Sequence, residues 1–155
     1  METVTFKKSQ YFKEKADRLF AEQKQRILKI VPTADVQHVG GTSVPDLLTK
    51  GDLDINVRVN QADFRHTHEG LEKIYEINQH KNWTHTFESY KDDDSFELSL
   101  GVQLTQIDSD DDDFIKHRDR LLRDKNLVNR FNELKKEFEG KDMVSYREAK
   151  AKFFK

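Results

Sequence analysis

Across residues 9–31 the apolar positions Phe12, Ala16, Leu19, Phe20, Ile27 and Ile30 return mostly at intervals of three, four or seven. That spacing keeps to one side of a 3.6-residue spiral, so an amphipathic helix is predicted there, ended by Pro32. A short strand is predicted at 35–39, running into Gly40-Gly41-Thr42-Ser43. Ser43 is placed to cap a short helix, with Asp46 three residues on and Pro45 in the first turn. Residues 52–59 change to strict alternation. Leu53, Ile55, Val57 and Val59 point one way; Asp52, Asp54, Asn56 and Arg58 point the other. This is a half-buried strand with a polar second face.

Asn60 opens a second helix through about Tyr75, with Leu71, Ile74 and Tyr75 on its apolar side. Residues 83–90 and 96–107 are predicted as two strands joined by Lys91-Asp92-Asp93-Asp94-Ser95, a turn-rich loop. In the second, Phe96, Leu98, Leu100, Val102 and Leu104 form the apolar row, opposite Glu97, Ser99, Gly101, Gln103 and Thr105. After the acidic run 108–113 the pattern is helical to the end, in three segments with Asn126 and Asp142 as N-caps and Gly140 as a stop. The order predicts an α+β fold: one domain spanning 1–155, with a mixed β-sheet covered by helices mainly on one face and a helical C-terminal extension.

Composition narrows the function classes. The 155 residues are 35% hydrophobic and 36% charged, and 11 Phe supply the bulk for a core, which argues against disorder. The net charge of −2 gives no general attraction to nucleic acid or a membrane surface. No cysteine is present, so disulfides, thiolate zinc sites and thiol nucleophiles are excluded. No apolar run approaches the roughly 20 residues of a membrane helix, and the first residues lack a signal-peptide core. A cytoplasmic protein is expected. The acidic run does not fit a calcium loop: counted from Asp108, the sixth and twelfth positions are Asp113 and Asp119 instead of Gly and Glu. It reads as a solvated loop. The histidines show no metal-ligand spacing.

Two neighbouring features carry chemistry. Glycines in a turn let backbone N–H groups approach a phosphate, and hydroxyls such as those of Thr42 and Ser43 add donors. On a strand, Asp52 and Asp54 project from the same face about 6–7 Å apart. Such carboxylates repel unless a cation lies between them, and Mg²⁺ (or Mn²⁺) bridges carboxylates to substrate phosphates. Lys50 and Arg58 flank the pair, to neutralise phosphate or to pair with Asp. His38 stands before the turn, to order it, to meet a phosphate or as a buried histidine.

A Gly-Gly turn, a short helix and then Asp-x-Asp on the next strand is similar to the layout of the nucleotidyltransferase superfamily. Within it, His38-Val39-Gly40-Gly41-Thr42-Ser43-Val44-Pro45, then Leu47, Lys50, Asp54 and Ile55, resembles the signature stretch of GrpB-like proteins. Arg118-Asp119, Leu121, Phe131, Leu134-Lys135, Glu137, Tyr146, Ala149-Lys150 and Phe153 follow that family's spacing. The resemblance implies a nucleoside triphosphate held by Gly40, Gly41, Thr42 and Ser43, with Asp52 and Asp54 as catalytic metal ligands. It also implies that Lys150 and Arg118 are candidates to reach phosphate, with interhelix ion pairs as the alternative. A third carboxylate usually orients the attacking hydroxyl. Glu97, on the polar row of its strand, is the candidate, with Glu88 as the alternative.

The chain departs from the family where Asp52 replaces a frequent apolar residue, Gly51 a Pro and Asp46 a Gly. Gln103-Leu104-Thr105 stands where many members carry His-x-His. The expected activity is Mg²⁺-dependent transfer of a nucleoside monophosphate to the hydroxyl of an unknown acceptor. The alternative is a catalytically degenerate nucleotide- or metabolite-binding regulatory module on the same fold.

Overall fold

The computed structural model describes residues 3–154. A 3₁₀ turn at Ser9–Phe12 leads into α1 (Lys13–Ile30), and α1 buries Ala16, Leu19, Gln23 and Ile27. Then come β2 (Asp35–Val39), β4 (Leu53–Val59), α2 (Gln61–Ile74), β5 (Glu76–Ile77), β6 (Phe87–Asp92) and β7 (Leu100–Gln106). The C-terminal part is α3 (Phe114–Arg123), α4 (Lys125–Phe138) and α5 (Met143–Phe153). Two short strands, β1 (Lys7–Lys8) and β3 (Leu48–Thr49), form a separate antiparallel ribbon.

The main sheet runs β2-β4-β7-β6-β5. Its central β4–β7 pair is parallel and the other pairs are antiparallel, so the sheet is mixed. The alternation of β4 decides the layers. Leu53, Ile55, Val57 and Val59 are all essentially inaccessible and pack with Leu100, Val102, Leu104 and Tyr90 beneath α1 and α2. The opposite face is also covered, in part. Val44 and Leu47 pack with Leu121, Leu127, Val128 and Phe131, which seats α3 and α4 over the β2–β4 end. The incomplete second layer leaves room for cavities against the polar face of the sheet.

Several boundaries differ from the sequence pattern, for local reasons. β7 begins at Leu100, because its pairing with both Asp92 and Leu53 ends there. Asp92 Oδ1 accepts the N–H groups of Asp94 and Ser95, which ends the hairpin in an Asx-type turn. Phe96 and Leu98 still reach the core, without being strand residues. β6 begins at Phe87, since Trp83 follows a 3₁₀ turn (His80–Asn82) and donates Nε1–H to the Asn78 carbonyl. Asp124, not Asn126, caps α4 by accepting the Leu127 N–H at 3.0 Å. Asp142 caps α5 as predicted, and Asn60, read as the start of α2, is its N-cap. No helix among the described residues is long and apolar enough to cross a membrane.

Candidate functional site

Strand register builds the site. Asp54 lies opposite Val39 of β2 on one side and Gly101 of β7 on the other. Because facing residues share a side, Asp54, Asn56 and Arg58 lie in one polar layer with Gly101, Gln103 and Thr105. Glycine stands at each flank of the Asp54 carboxylate. A Cβ at Gly40 would fall 2.4 Å from Oδ2, and one at Gly101 would fall 2.8 Å from Oδ1. Gly40 also has φ +76°, a conformation costly for other residues. Both glycines make the room that the carboxylate occupies.

The electrostatics are those of an acidic pair held among cations. Burial, then the neighbouring Asp52, pushes the Asp54 carboxyl up to about 6, while Lys150 and Lys50 pull it down. Lys50 Nζ is 3.2 Å from Asp52 Oδ2. Desolvation holds the Lys150 ammonium below the ordinary lysine value, and Asp54 opposes the shift. Lys135 is almost fully buried, its ammonium 4.1 Å from the Phe131 ring centre and donating to the Leu48 carbonyl. Burial, then Lys150 and Lys50, pushes it down to about 6.

That depression sets a pH dependence. The folded pKa lies below the unfolded one, so between about pH 6 and 10 the unfolded chain holds the extra proton and stability rises with pH. Urea unfolding at pH 6.5 and 8.5 should show this increase in the wild type and a smaller one in Lys135→Met. An unchanged increase in the variant would assign it to other groups.

Cavities of about 300, 370 and 710 Å³ all meet at Asp54 and Gln103. The middle one is lined by Gly41, Lys50, Asp52, Lys135 and Lys150, among others. The largest is polar and opens toward Asn78, Asp93, Asp94 and Arg147. The smallest is mostly aromatic and aliphatic, beneath α3 and α4.

The structure thus brings together Gly40, Gly41, Lys50, Asp52, Asp54 and Lys150. It places the other candidates elsewhere. Glu97 lies before β7, is largely exposed, and its carboxylate is 3.7 Å from Arg18 of α1, lining a different cavity. Glu88 lies opposite Leu104, on the other face, where it accepts from Tyr90 and meets His68. Neither is a third carboxylate for Asp52 and Asp54, and no cluster of three His, Asp or Glu suited to a metal occurs among the described residues. Gln103 holds the position beside Asp54.

Arg58 is likewise corrected. It grips both oxygens of Asp112 at 2.7 Å and Asp35 at 2.6 Å, so each of its three nitrogens is tied to the fold. Asp112 is therefore buried, and the acidic run is not simply a solvated loop. Thr42 donates to the Asp52 carbonyl and meets His38 Nε2 at 2.8 Å; Ser43 donates to the Gly40 carbonyl. Both line a small cavity on the side of His38, and their hydroxyls brace the turn. The turn itself is a single 3₁₀ turn (Gly41–Ser43) with no side-chain cap. The predicted short helix does not form, because Asp46 takes φ +66° and exchanges hydrogen bonds with Gln10. Arg118 donates to Gln37 Oε1 and the His38 carbonyl, pinning α3 to β2 in place of an interhelix ion pair. Desolvation pushes His38 down to about 4, a neutral, half-buried histidine stacked on Phe20.

Sequence reasoning assigns no role to Lys135. The available signal was its place four residues after Phe131 and eight after Leu127, on the buried side of α4.

Comparison with known proteins agrees with this architecture. The family model described as GrpB protein matches residues 10–155. The chain is 28% identical to a UPF0157 protein of Vibrio cholerae over 152 residues, covering 98% of this chain and 80% of that one. The structure of the conserved protein GrpB from Enterococcus faecalis superposes with TM-score 0.64 at 22% identity, covering 79% of this chain and 76% of that one. A MgGTP-bound structure of the poly(U) polymerase Cid1 superposes with TM-score 0.55 at 16% identity, covering 79% of this chain but only 41% of the polymerase. The fold is thus nucleotidyltransferase-like. With the match running over nearly its whole length, the chain belongs to the GrpB protein family.

Proposed function

We propose that the Asp52–Asp54 cavity binds a nucleoside triphosphate with Mg²⁺ (or Mn²⁺), and that the protein moves the nucleoside monophosphate to an acceptor hydroxyl. The observation that carries this reading is the meeting of two carboxylates and three lysines, Lys50, Lys135 and Lys150, in one cavity beside the Gly40-Gly41 turn. The residues fit a hard cation. Asp54 is raised partly by repulsion from Asp52, and a divalent ion between the two carboxylates would relieve it. Two carboxylates with substrate phosphates are a usual donor set for Mg²⁺.

Asp52 and Asp54 would hold the ion, which when bound supplies neutralisation of the triphosphate's developing charge. Lys50 and Lys150 would offset the remaining phosphate charge, while the Gly40-Gly41 backbone lets the chain come close. The acceptor oxygen bonds to the α-phosphorus, the bond to the bridging oxygen breaks, and pyrophosphate leaves. The proton passes to water in the open polar cavity, since Gln103 has no carboxylate to take it. The likeness to a nucleotide-bound polymerase supports the reading at the level of fold.

One observation favours a second reading. With Gln103 beside Asp54 and Glu97 distant, no third carboxylate clusters with Asp52 and Asp54 among the described residues, which suits a module that binds nucleotide without turning it over. Thermal unfolding with each triphosphate and Mg²⁺, run beside a pyrophosphate-release assay, separates the two. A hundredfold excess of ligand over its dissociation constant adds about 2.7 kcal/mol of stability. Mg²⁺-dependent stabilisation with pyrophosphate release supports the transferase. Stabilisation without release supports the binding module, and no stabilisation at millimolar nucleotide rejects both.

A further inference from the structure

The 300 Å³ cavity differs in chemistry from the other two. Phe131 and Phe154 meet edge to face at 5.0 Å, and His117 stacks on Phe154 at 5.3 Å. Phe114, Leu47 and Leu121 add further apolar wall. The volume is at the lower end of the range for small-molecule pockets, enough for a planar ring system and too little for a whole triphosphate. Lys135, Lys150 and Gly41 border both this cavity and the lysine-lined one. A ligand with an aromatic end and an anionic end would span the two.

The polar layer below supplies selectivity. Gln103 lines all three cavities, yet its Oε1 is buried without a hydrogen-bond donor. The amide nitrogen is the end nearer Gly101, where a Cβ would lie 3.3 Å from Gln103 Nε2 and 2.8 Å from Asp54 Oδ1. The oxygen is left without a protein donor. Asn56, fully buried on the neighbouring strand, is in the same state. Its Nδ2 donates to the Gln103 carbonyl and to Thr105 Oγ1, which fixes the amide and leaves Oδ1 without a donor. Two buried acceptors without donors are costly unless a ligand or water serves them.

We propose that the aromatic cavity is the base subsite of the nucleotide site, and that Gln103 Oε1 makes it favour a base with an amine at purine C6 or pyrimidine C4, adenine or cytosine, over hypoxanthine or uracil, which carry an oxygen there. The inference rests on the nucleotide reading above. A site built to hydrogen-bond a donor rejects the analogue that lacks it, because the buried acceptor then stays unpaired.

The test measures the affinity of the full chain for MgATP, MgITP, MgCTP and MgUTP by calorimetry, in the wild type and in Gln103→Leu. The expected result is ATP binding about tenfold or more tighter than ITP, and CTP tighter than UTP, with both ratios falling toward one in Gln103→Leu. Should Gln103→Leu fail to fold, Gln103→Met makes the same measurement with an unbranched side chain. Equal affinities for ATP and ITP, or a preference that survives loss of the amide, would overturn the base subsite while leaving nucleotide binding intact. Absence of binding by all four would instead sink the nucleotide reading and this inference with it.

Discussion

Asp54→Asn raises the unfolding midpoint of the free protein at pH 7.5 and removes its stabilisation by Mg²⁺ and nucleoside triphosphate. The two effects have one cause. Burial and Asp52 push the Asp54 carboxyl up to about 6, so its ionised form costs folding free energy. The sign is that of a raised acid. Between its unfolded value near 4 and about 6 the folded state holds the extra proton, so stability falls as pH rises through that window. Above pH 6 the full cost is present, on the order of 1–3 kcal/mol at about 1.4 kcal/mol per pKa unit. A neutral amide avoids it. Urea unfolding at pH 4 and pH 7.5 should therefore show a gap between variant and wild type only at the higher pH. Any pyrophosphate release should be lost as well. A variant that kept Mg²⁺-dependent stabilisation would remove Asp54 from the site. One that was destabilised at pH 7.5 would show that the carboxylate is well solvated or already paired.

The centre of this site was legible in the sequence and its rim was not. Strict alternation in 52–59 puts Asp54 on the face opposite the core, and the glycines at 40 and 41 mark the turn beside it. Those features depend on neighbours within a strand or a turn. Glu97 was misplaced because alternation continues through 96–99 after pairing has stopped. A period of two reports facing only while both partners persist, and here they end at Leu100. Lys135 was missed for the opposite reason. Its carbonyl partner Leu48 is 87 residues away in sequence, and only the docking of α4 against the segment after the turn brings them together. Asn132 reinforces that docking by accepting from the Leu48 N–H and donating to the Asp46 carbonyl. The fold class was readable because it needs only element order; the C-terminal helices' position over the polar face was not, because it follows from long-range packing of Val44 and Leu47.

Arg58→Met, in contrast to Asp54→Asn, lowers stability strongly and leaves the folded protein's nucleotide affinity unchanged. Arg58 lies on the Asp54 face but four residues along the strand, about 13 Å away at strand spacing. Its guanidinium forms a bidentate pair with Asp112 and a further bond to Asp35. The Asp112 side chain is only 5% exposed and also accepts the Asp108 N–H. Removing the arginine leaves that carboxylate buried without its cation, a loss of about 3–5 kcal/mol. Arg58 holds the Asp112 carboxyl below its ordinary value, so the pair's contribution is present above the unfolded carboxylate pKa near 4 and is lost as pH falls through the lower folded value. The gap between wild type and Arg58→Met in urea unfolding should accordingly be full at pH 7 and shrink below pH 4. Asp112→Asn in the Arg58→Met background should recover part of the loss, since the charge left unpaired is removed. A small, pH-independent effect would mean that the pair is solvated. Weakened MgATP binding by folded Arg58→Met would return Arg58 to the phosphate site.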